Sequence, residues 1–422
     1  MVIMDRGKNY EVKDLKLAGQ GKMSIELAER RMGIMGIIKR RFAKEKPFKG
    51  LGIGLALHVT KETAVLVRTL LAGGAKVSIT SCNPLSTQDD VAAALAKEGV
   101  SVYAYKGESN EDYYRYLAKV ADSKPQLTVD DGGDLVGLIH TERPELVRSI
   151  IGGTEETTTG VIRLRAMEKD SALCYPVIAV NDNKTKHLLD NYYGTGQSTL
   201  DGILRATNIL VAGKTVVVAG YGPCGKGVSL RARGLGARII VTEVDHFRAL
   251  QAVLDGFEVM PMKEAAKIGD IFITVTGNKD VIAAQHFKLM KDNAVLANSG
   301  HFDVEINVKD LQKLGKKRRV RWQLDEYSIG EKKIYLCAEG RLVNLAAAEG
   351  HPSEVMATSF AGQALALEYL VKNKGKLPPK VLTLPEPIDN EIAKMQLESM
   401  GVRIDKLTEE QKRYLSSWKE GT

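Results

Sequence analysis

Hydrophobic and polar positions follow two alternating periods along much of this chain. From residue 51, short apolar runs are separated by longer amphipathic stretches, several of which end on glycine. Such apolar runs are typical of buried strands. In the stretches between them, the apolar residues recur at the spacing of an amphipathic helix. We predict strands over residues 51–57, 76–80, 102–105 and 126–130. We predict helices between them over residues 61–74, 88–99 and 111–121.

The same alternation starts again at residue 214. We predict further strands over residues 215–220, 238–243, 271–276 and 294–299. We predict helices over residues 226–236, 247–256 and 359–371, and an amphipathic helical region over residues 1–45. The order of these elements predicts an α/β protein with two doubly wound parallel-sheet domains and a helical C-terminal tail.

Two stretches connect the predicted sheets. Residues 181–198 run from the first sheet to the second, and residues 350–354 mark the return. We therefore divide the chain into a first domain of residues 1–189 plus 352–382, a second domain of residues 190–351, and a C-terminal tail of residues 383–422.

Charge and composition narrow the class of protein. The net charge is +8, and the densest basic segment contains Lys316, Lys317, Arg318, Arg319 and Arg321. Because no helix-turn-helix, RRM or zinc-finger pattern accompanies these residues, we interpret them as a solvated basic loop and predict no nucleic-acid partner. No apolar run is long enough to predict a membrane span.

The cysteines indicate the redox compartment. Cys82, Cys174, Cys224 and Cys337 lie far apart and include no C-x-x-C pair. This spacing fits neither a zinc motif nor a disulfide framework, so we predict no metal and a reducing, cytoplasmic location.

A glycine-rich loop joins a predicted strand to a predicted helix in the second domain. Gly220, Gly222 and Gly225 have the G-x-G-x-x-G spacing, and Glu243 ends the next strand. In this context the glycines form a tight turn and admit a pyrophosphate, which the helix N-terminus attracts. The carboxylate of Glu243 suits ribose hydroxyls and repels a 2′-phosphate, which favours NAD. Arg248 weakens this preference for NAD slightly, because a nearby arginine can accommodate the 2′-phosphate of NADP.

Polar residues follow the predicted strands of the first sheet, at the edge where open α/β sheets bind ligands. His58, Thr60 and Glu62 follow the first strand, residues 81–89 follow the second, and Asp131 follows the fourth. Each residue by itself has an ordinary explanation as a helix entry or a turn. Their occurrence on one edge predicts a ligand site.

Six segments together resemble one enzyme family. They are SCNPLSTQDDVAAAL (81–95), DDGGDL (130–135), EETTTG (155–160), AGYGPCGKG (219–227), GHFDVEI (300–306) and AEGRLVNLAAAEGHPSEVM (338–356). In order and spacing they resemble S-adenosylhomocysteine hydrolase over nearly the whole chain. The resemblance implies reversible hydrolysis of S-adenosylhomocysteine to adenosine and homocysteine. It also implies a homotetramer in which the C-terminal tail takes part in oligomerisation.

In the family that these segments resemble, tightly bound NAD⁺ oxidises the 3′-hydroxyl of the ribose. The resulting ketone acidifies the C4′ proton, whose loss allows β-elimination of homocysteine. Water then adds and the oxidation is reversed, so NAD is regenerated in each cycle.

The resemblance also implies roles for individual residues. The implied catalytic residues are His58, Asp131, Glu156, Lys186, Asp190 and His301. The implied substrate-binding residues are Thr60, Glu62, Asn181, Asn191 and His351. The implied cofactor-binding residues are Thr157, Thr158, Thr159, Gly220, Gly222, Gly225, Glu243, Arg248, Thr276, Gly277 and Asn344. As the base at the 3′-hydroxyl, Lys186 is expected to have a depressed pKa.

The sequence departs from the family pattern at several positions. Thr195 replaces a common cysteine, Arg248 a common asparagine, and Glu349 a methionine that often lines the purine pocket. Many relatives also continue beyond Thr422 into a tail that reaches a neighbouring subunit. Because the carboxylate of Glu349 can accept a hydrogen bond from adenine N6 or from hypoxanthine N1–H, S-inosylhomocysteine is the alternative substrate. A non-catalytic NAD-binding regulator and a net dehydrogenase are alternatives from other functional classes.

Overall fold

The computed structural model describes residues 5–7 and 9–419. In this part of the chain the first sheet has nine strands. Their spatial order is Asp5–Gly7, Tyr10–Val12, Ser101–Tyr103, Lys76–Thr80, Gly52–Ala56, Leu127–Asp130, Gly152–Glu155, Val177–Ala179 and Val381–Leu382. The first pair is antiparallel, and every other neighbouring pair is parallel.

The second sheet has eight strands among the described residues. Their spatial order is Glu258–Val259, Arg238–Thr242, Thr215–Ala219, Ile271–Thr274, Ala294–Asn298, Lys332–Cys337, Leu324–Ile329 and Lys316–Arg321. The last two strands are antiparallel to their neighbours, whereas the rest of the sheet is parallel.

Helices cover both faces of these sheets. The α-helices are Ala18–Arg31, Gly33–Glu45, Lys61–Ala72, Asp89–Lys97, Asn110–Asp122, Asp134–Glu142, Thr158–Lys169, Lys184–His187, Thr195–Thr207, Pro223–Gly234, His246–Leu254, Met262–Ile268, Ala284–Phe287, Val308–Leu314, Val343–Ala346, Ser353–Lys372, Glu386–Ser399 and Glu409–Ser416. Shorter 3₁₀ turns are Leu15–Leu17, Pro144–Ser149, Val180–Asp182 and Ala338–Gly340, and Asp190–Gly194 is a π-helical turn. The predicted fold class is confirmed, with antiparallel strands added at one edge of each sheet.

The strand order places a topological switch point in each sheet. In the first sheet it lies between Gly52–Ala56 and Leu127–Asp130, and in the second between Thr215–Ala219 and Ile271–Thr274. At these points the connections leave in opposite directions, and a crevice opens beyond the carboxyl ends of the strands. The loops at His58, Asp131 and the glycine-rich turn therefore begin at these crevices.

Two sequence predictions are wrong in detail. Within the region predicted as helical, of which residues 1–4 and 8 lie outside the described residues, residues 5–7 and 10–12 form strands. Tyr10 and Glu11 pair with the strand Ser101–Tyr103, and such short edge strands carry no readable period.

The basic segment was expected to be a loop and is instead the edge strand Lys316–Arg321. Lys317 lies 3.1 Å from Asp325, and Arg318 lies 2.9 Å from Glu326 on the neighbouring strand. Cross-strand pairs of opposite charge stabilise an antiparallel ladder, so part of this basic charge is locally neutralised.

The long helix Ser353–Lys372 returns the chain to the first sheet and packs against the helices Gly33–Glu45, Lys61–Ala72 and Glu386–Ser399. The beginning of the tail is anchored there, because the buried carboxylate of Asp389 accepts a 2.7 Å hydrogen bond from the backbone N–H of Lys184. No helix among the described residues combines the length and the apolar character needed to cross a membrane.

Candidate active site

A cavity of about 920 Å³ lies between the two sheets and is lined by residues that follow strands of both. Its volume is within the range of small-molecule sites, about 300–1,000 Å³. All the candidate residues from the sequence line it except Asn181 and Gly225. Each of those two residues contacts a residue of the lining. Asn181 accepts a hydrogen bond from Asn191, and Gly225 packs against the backbone of Gly220. The structure therefore brings the predicted site residues together.

A buried ionic cluster lies where the chain passes from the first sheet to the second. The Lys186 Nζ atom is 3.1 Å from Asp190 Oδ1 and 3.6 Å from Glu156 Oε1. It also donates a 2.8 Å hydrogen bond to Asn191 Oδ1, and Asn191 donates in turn to Asn181 Oδ1 over 3.2 Å. One ammonium group thus faces two carboxylates, in a fixed orientation.

Burial and charge set the protonation states in this cluster. Burial raises the pKa of Glu156 to about 7, although Lys186 opposes the shift. Burial acts to lower the pKa of Lys186, but Asp190 and Glu156 outweigh it and the net shift is upward. The depressed lysine pKa expected from the sequence is therefore wrong, because two buried carboxylates flank a single ammonium. Lys186 is a cation at neutral pH, and Glu156 is the group that titrates there.

A second cluster surrounds Asp131 at the switch point of the first sheet. Asp131 Oδ2 lies 3.4 Å from His58 Nε2, and Oδ1 lies 3.4 Å from His301 Nδ1. His301 follows the strand Ala294–Asn298, so the second domain completes this cluster. Burial lowers the pKa of His58 to about 4, although Asp131 opposes the shift. His58 is therefore neutral at neutral pH and is able to accept a proton.

Side chains that the sequence interpretation missed hold Glu156 in place. On the return helix, Ser359 donates to Glu156 Oε1, and Gln363 donates to Oε2 over 2.5 Å. The available signal was the spacing of Ser359 and Gln363, which are four positions apart and therefore share one face of the helix. Glu305, within the GHFDVEI segment, similarly accepts hydrogen bonds from the backbone N–H groups of Thr276 (2.9 Å) and Gly277 (2.8 Å).

A further group of polar residues lies beside the ionic cluster. His351 Nδ1 is 3.3 Å from Asp190 Oδ2, and its Nε2 is 3.3 Å from the hydroxyl of Thr195. The buried Glu62 accepts a 2.6 Å hydrogen bond from Ser353.

Glu349 is not an uncommitted acceptor, as its replacement of a methionine had suggested. Its carboxylate lies 2.9 Å from Lys61 Nζ and 3.7 Å from Arg205 Nη1. Hydrogen bonding to Lys61 lowers the pKa of Glu349. A purine would therefore compete with Lys61 for this carboxylate.

The glycine loop forms an anion cradle on the second domain. Gly220 adopts a left-handed φ of 101°, and a Cβ at Gly225 would lie 2.0 Å from Gly220 O. Among the described residues, a Cβ at Gly222 would come within 4 Å only of Arg248, at 3.8 Å from Nη1, so this glycine borders open space. The helix Pro223–Gly234 begins directly after it, with its free N–H groups beside that space.

Two other observations fit a dinucleotide here. Glu243 closes the loop, because its carboxylate accepts 2.7 Å hydrogen bonds from the N–H groups of Tyr221 and Val244. The buried Asn344 Oδ1 atom has no hydrogen-bond partner among the described residues, as expected of an acceptor that serves a bound carboxamide. Across the cavity, Thr159 Oγ1 lies 3.7 Å from the Cβ position of Gly277, so the threonine loop of the first domain meets the second domain.

Comparison with known families agrees with this geometry. Residues 9–145 match the model for S-adenosyl-L-homocysteine hydrolase, and residues 191–350 match the model for the NAD-binding domain of S-adenosyl-L-homocysteine hydrolase. The chain belongs to the S-adenosyl-L-homocysteine hydrolase family. NAD is the cofactor of this hydrolase family, and the glycine loop of this chain lies within the matched NAD-binding domain.

Relatives within this hydrolase family carry two different names. The chain is 60% identical to S-inosyl-L-homocysteine hydrolase of Methanocaldococcus jannaschii, over 98% of this chain and 100% of the relative. It is 59% identical to adenosylhomocysteinase of Saccharolobus solfataricus, over 98% of this chain and 100% of the relative. It is also 58% identical to adenosylhomocysteinase of Archaeoglobus fulgidus, over 96% of this chain and 100% of the relative. Identity alone therefore does not choose between the two thioethers.

The NAD loop of this hydrolase gives a direct test of the cofactor site. We expect Gly225→Ala to lower NAD affinity by at least about tenfold, or 1.4 kcal/mol, because the new methyl group would collide with Gly220 O. The NAD content of the purified protein and the Kd for added NAD measure this effect. Gly234→Ala is the matched control, since a Cβ there meets nothing within 4 Å among the described residues at the other end of the same helix. Equal NAD content in the two variants would contradict the assignment.

Proposed function

We propose that this chain hydrolyses S-adenosyl-L-homocysteine reversibly to adenosine and L-homocysteine. The observation that carries the proposal is the arrangement of two buried clusters, around Lys186 and around Asp131, on one cavity that also borders the NAD loop. Oxidation at the ribose and proton abstraction beside it need two such groups within the length of one nucleoside. The first domain, residues 1–189 with 352–382, would hold the nucleoside, and residues 190–351 would hold NAD.

NAD, when bound at the glycine loop, supplies reversible oxidation at the ribose C3′. The carboxylate of Glu156, fixed by Ser359 and Gln363, binds the ribose hydroxyls and accepts the 3′-hydroxyl proton. The ammonium of Lys186 stabilises negative charge on O3′, and Asp190 keeps that ammonium in place. This division of roles follows from the protonation states, since Lys186 is cationic and Glu156 titrates near neutrality.

Asp131 accepts the C4′ proton once the neighbouring carbon is oxidised. His58 and His301 hold the two oxygens of its carboxylate in position. In the forward direction the homocysteine thiolate leaves before water adds; the neutral His58 then takes a proton from the attacking water and passes it to that thiolate, and Asp131 returns its proton to C4′. Closure of the two domains over the cavity would exclude other water from the reactive ketone.

The substrate is tested by measuring thiol release from two thioethers with the full chain and saturating NAD. We expect cleavage of S-adenosylhomocysteine, and the ratio of kcat/KM for the adenosyl and inosyl compounds identifies the preferred purine. S-inosylhomocysteine is the second candidate because a relative of that name is 60% identical over nearly the whole chain. If NAD-loaded protein cleaves neither compound, the proposed function is wrong. Steady accumulation of NADH would instead indicate a net dehydrogenase.

The proposal includes a cytoplasmic homotetramer without nucleic-acid or membrane partners. All four cysteines are free, which suits a reducing compartment. In the tail, the helix Glu409–Ser416 exposes Tyr414 and Leu415, which are 52% and 69% accessible. Such apolar exposure on a terminal helix suits burial against another subunit, which supports an oligomerisation role for residues 383–422; residues 420–422 lie outside the described residues.

A further inference from the structure

Two buried carboxyl groups lie behind the site, and the proposed reaction uses neither. Asp130 and Glu155 end neighbouring parallel strands and are paired in register. Side chains alternate between the two faces of a strand, and it is the next residues, Asp131 and Glu156, that line the cavity. Asp130 and Glu155 are fully buried. Because a buried carboxyl group is costly unless it is hydrogen-bonded, its partners indicate what it supports.

Glu155 bonds to two separate loops of the site through one oxygen. Its Oε1 atom accepts a 2.9 Å hydrogen bond from the backbone N–H of Gly132. The same atom accepts a second hydrogen bond, also of 2.9 Å, from the backbone N–H of Thr157. Gly132 directly follows Asp131, and Thr157 begins the threonine loop that meets the second domain. One side chain therefore holds these two loops in a fixed relation to each other.

The peptide of Gly132 has to be held accurately, because the second domain packs directly onto it. Gly132 has a left-handed φ of 111°, and a Cβ there would collide with His301 Nε2. Its carbonyl oxygen accepts a 2.5 Å hydrogen bond from Arg163. Movement of this peptide would displace Asp131 and its contact with His301 together. A misplacement of about 1 Å in a reacting group costs on the order of 100-fold in rate.

Glu155 is suited to be an uncharged support. Burial raises the pKa of Glu155 well above its usual range, and Asp130 and Asp131 raise it further. Glu155 is therefore protonated at neutral pH, and its carbonyl oxygen can accept both hydrogen bonds. A negative charge here would oppose the ionisation of Asp131, which has to be a carboxylate to take up a proton. The protonated acid provides the same two bonds without adding that charge.

We propose that Glu155 is a positioning residue, whose single buried oxygen aligns the Asp131 loop with the threonine loop. It acts through these loops, since its side chain does not line the cavity. The kinetic part of the proposal rests on the proposed function, because it takes Asp131 as the acceptor of the C4′ proton.

The variants Glu155→Met and Glu155→Gln separate hydrogen bonding from packing. Both keep a side chain of similar length, but only glutamine offers an oxygen to the two N–H groups. In the full chain with saturating NAD, we expect Glu155→Met to lower kcat for thioether cleavage by about 100-fold. KM should change little, because the loss falls on the transition state rather than on nucleoside binding. Glu155→Gln should retain the kcat of the wild type.

Hydrogen exchange measures the positioning without turnover. The amides of Gly132 and Thr157 should be protected in the NAD-loaded wild type and in Glu155→Gln, and both should lose protection in Glu155→Met. Mass spectrometry of the two segments follows this exchange. Because the measurement needs no thioether cleavage, failure of the positioning role and failure of the proposed function are distinguishable.

Glu108→Met is the matched control, because Glu108 is another buried glutamate of the first domain. Burial raises the pKa of Glu108 to about 8, and its Oε1 atom has no hydrogen-bond partner among the described residues. Glu108 does not line the cavity, so this variant should change stability and leave kcat and the exchange of both amides unchanged.

The proposal is wrong if Glu155→Met keeps the kcat of the wild type, if Glu155→Gln loses as much activity as Glu155→Met, or if the two amides stay protected in Glu155→Met. Should Glu155→Met fail to fold, Glu155→Asp replaces it, since its carboxyl group is one methylene group too short to reach both N–H groups. A loss of kcat of about 100-fold in Glu155→Asp would support the proposal, and an unchanged kcat would contradict it.

Discussion

Replacement of Lys186 with methionine is expected to lower kcat for thioether cleavage by at least about 10³-fold. Its ammonium lies 3.1 Å from Asp190 and 3.6 Å from Glu156, so its removal leaves two buried carboxylates without a cation. The ribose O3′ would then meet only negative charge at the moment when its own negative charge develops. Steady-state kinetics with each thioether measure the loss.

The same substitution should also destabilise the protein, and the two effects need separation. An unpaired buried charge costs about 3–5 kcal/mol. Lys186 holds the pKa of Glu156 down to about 7, so its removal raises that pKa further; the cost is largest above the raised pKa and shrinks as the pH falls and Glu156 becomes protonated. The melting temperature of Lys186→Met relative to the wild type, measured as a function of pH, tests whether the destabilisation shrinks as the pH falls.

The double variant Lys186→Met with Glu156→Gln removes one of the two negative charges. It should recover much of the stability and none of the activity. Activity of Lys186→Met within tenfold of the wild type, in folded protein, would contradict the role assigned to this residue.

The elements that sequence alone predicted share one physical property. Buried parallel strands such as Thr215–Ala219 are continuous apolar runs, and glycines follow them directly. Both features can be recognised from a short segment of sequence. Since parallel strands end at a common edge, the polar residues that follow them also meet there. The common edge therefore correctly predicted that His58 and Asp131 lie together. His301 follows a strand of the second sheet, and only the family resemblance placed it near the same site.

Features that depend on contacts between distant segments could not be read in this way. The pKa of Lys186 depends on its burial, on Asp190 four positions away, and also on Glu156, which is thirty positions away in the sequence. The support of Glu156 by Gln363 requires knowing how the return helix packs. The basic strand Lys316–Arg321 resembles a loop in composition, because nearly all of its residues are charged. The acidic residues that pair with it lie on the neighbouring strand, and this pairing is not apparent from the basic segment itself.

Asp131→Asn is expected to lower kcat by about 10²–10⁴-fold, the usual contribution of one proton-transfer group. Asparagine has nearly the same shape as aspartate, so the contacts with His58 and Cys82 remain possible and the fold should persist. An amide cannot take up the C4′ proton. The direct measurement is incorporation of deuterium at C4′ of adenosine in D₂O, followed by NMR, which we expect to fall with kcat while nucleoside affinity changes little.

Asp134→Asn is the matched control for this experiment, because Asp134 lies three residues after Asp131, at the start of the helix Asp134–Glu142, and outside the cavity lining. Its carboxylate pairs with Arg163 at 2.6 Å and accepts a 2.7 Å hydrogen bond from Tyr113, so its loss should affect stability. It should leave C4′ exchange close to that of the wild type. If instead Asp131→Asn retains exchange and Asp134→Asn does not, the proton acceptor is not Asp131. A loss of nucleoside binding in Asp131→Asn, with exchange per bound nucleoside unchanged, would assign Asp131 to binding alone.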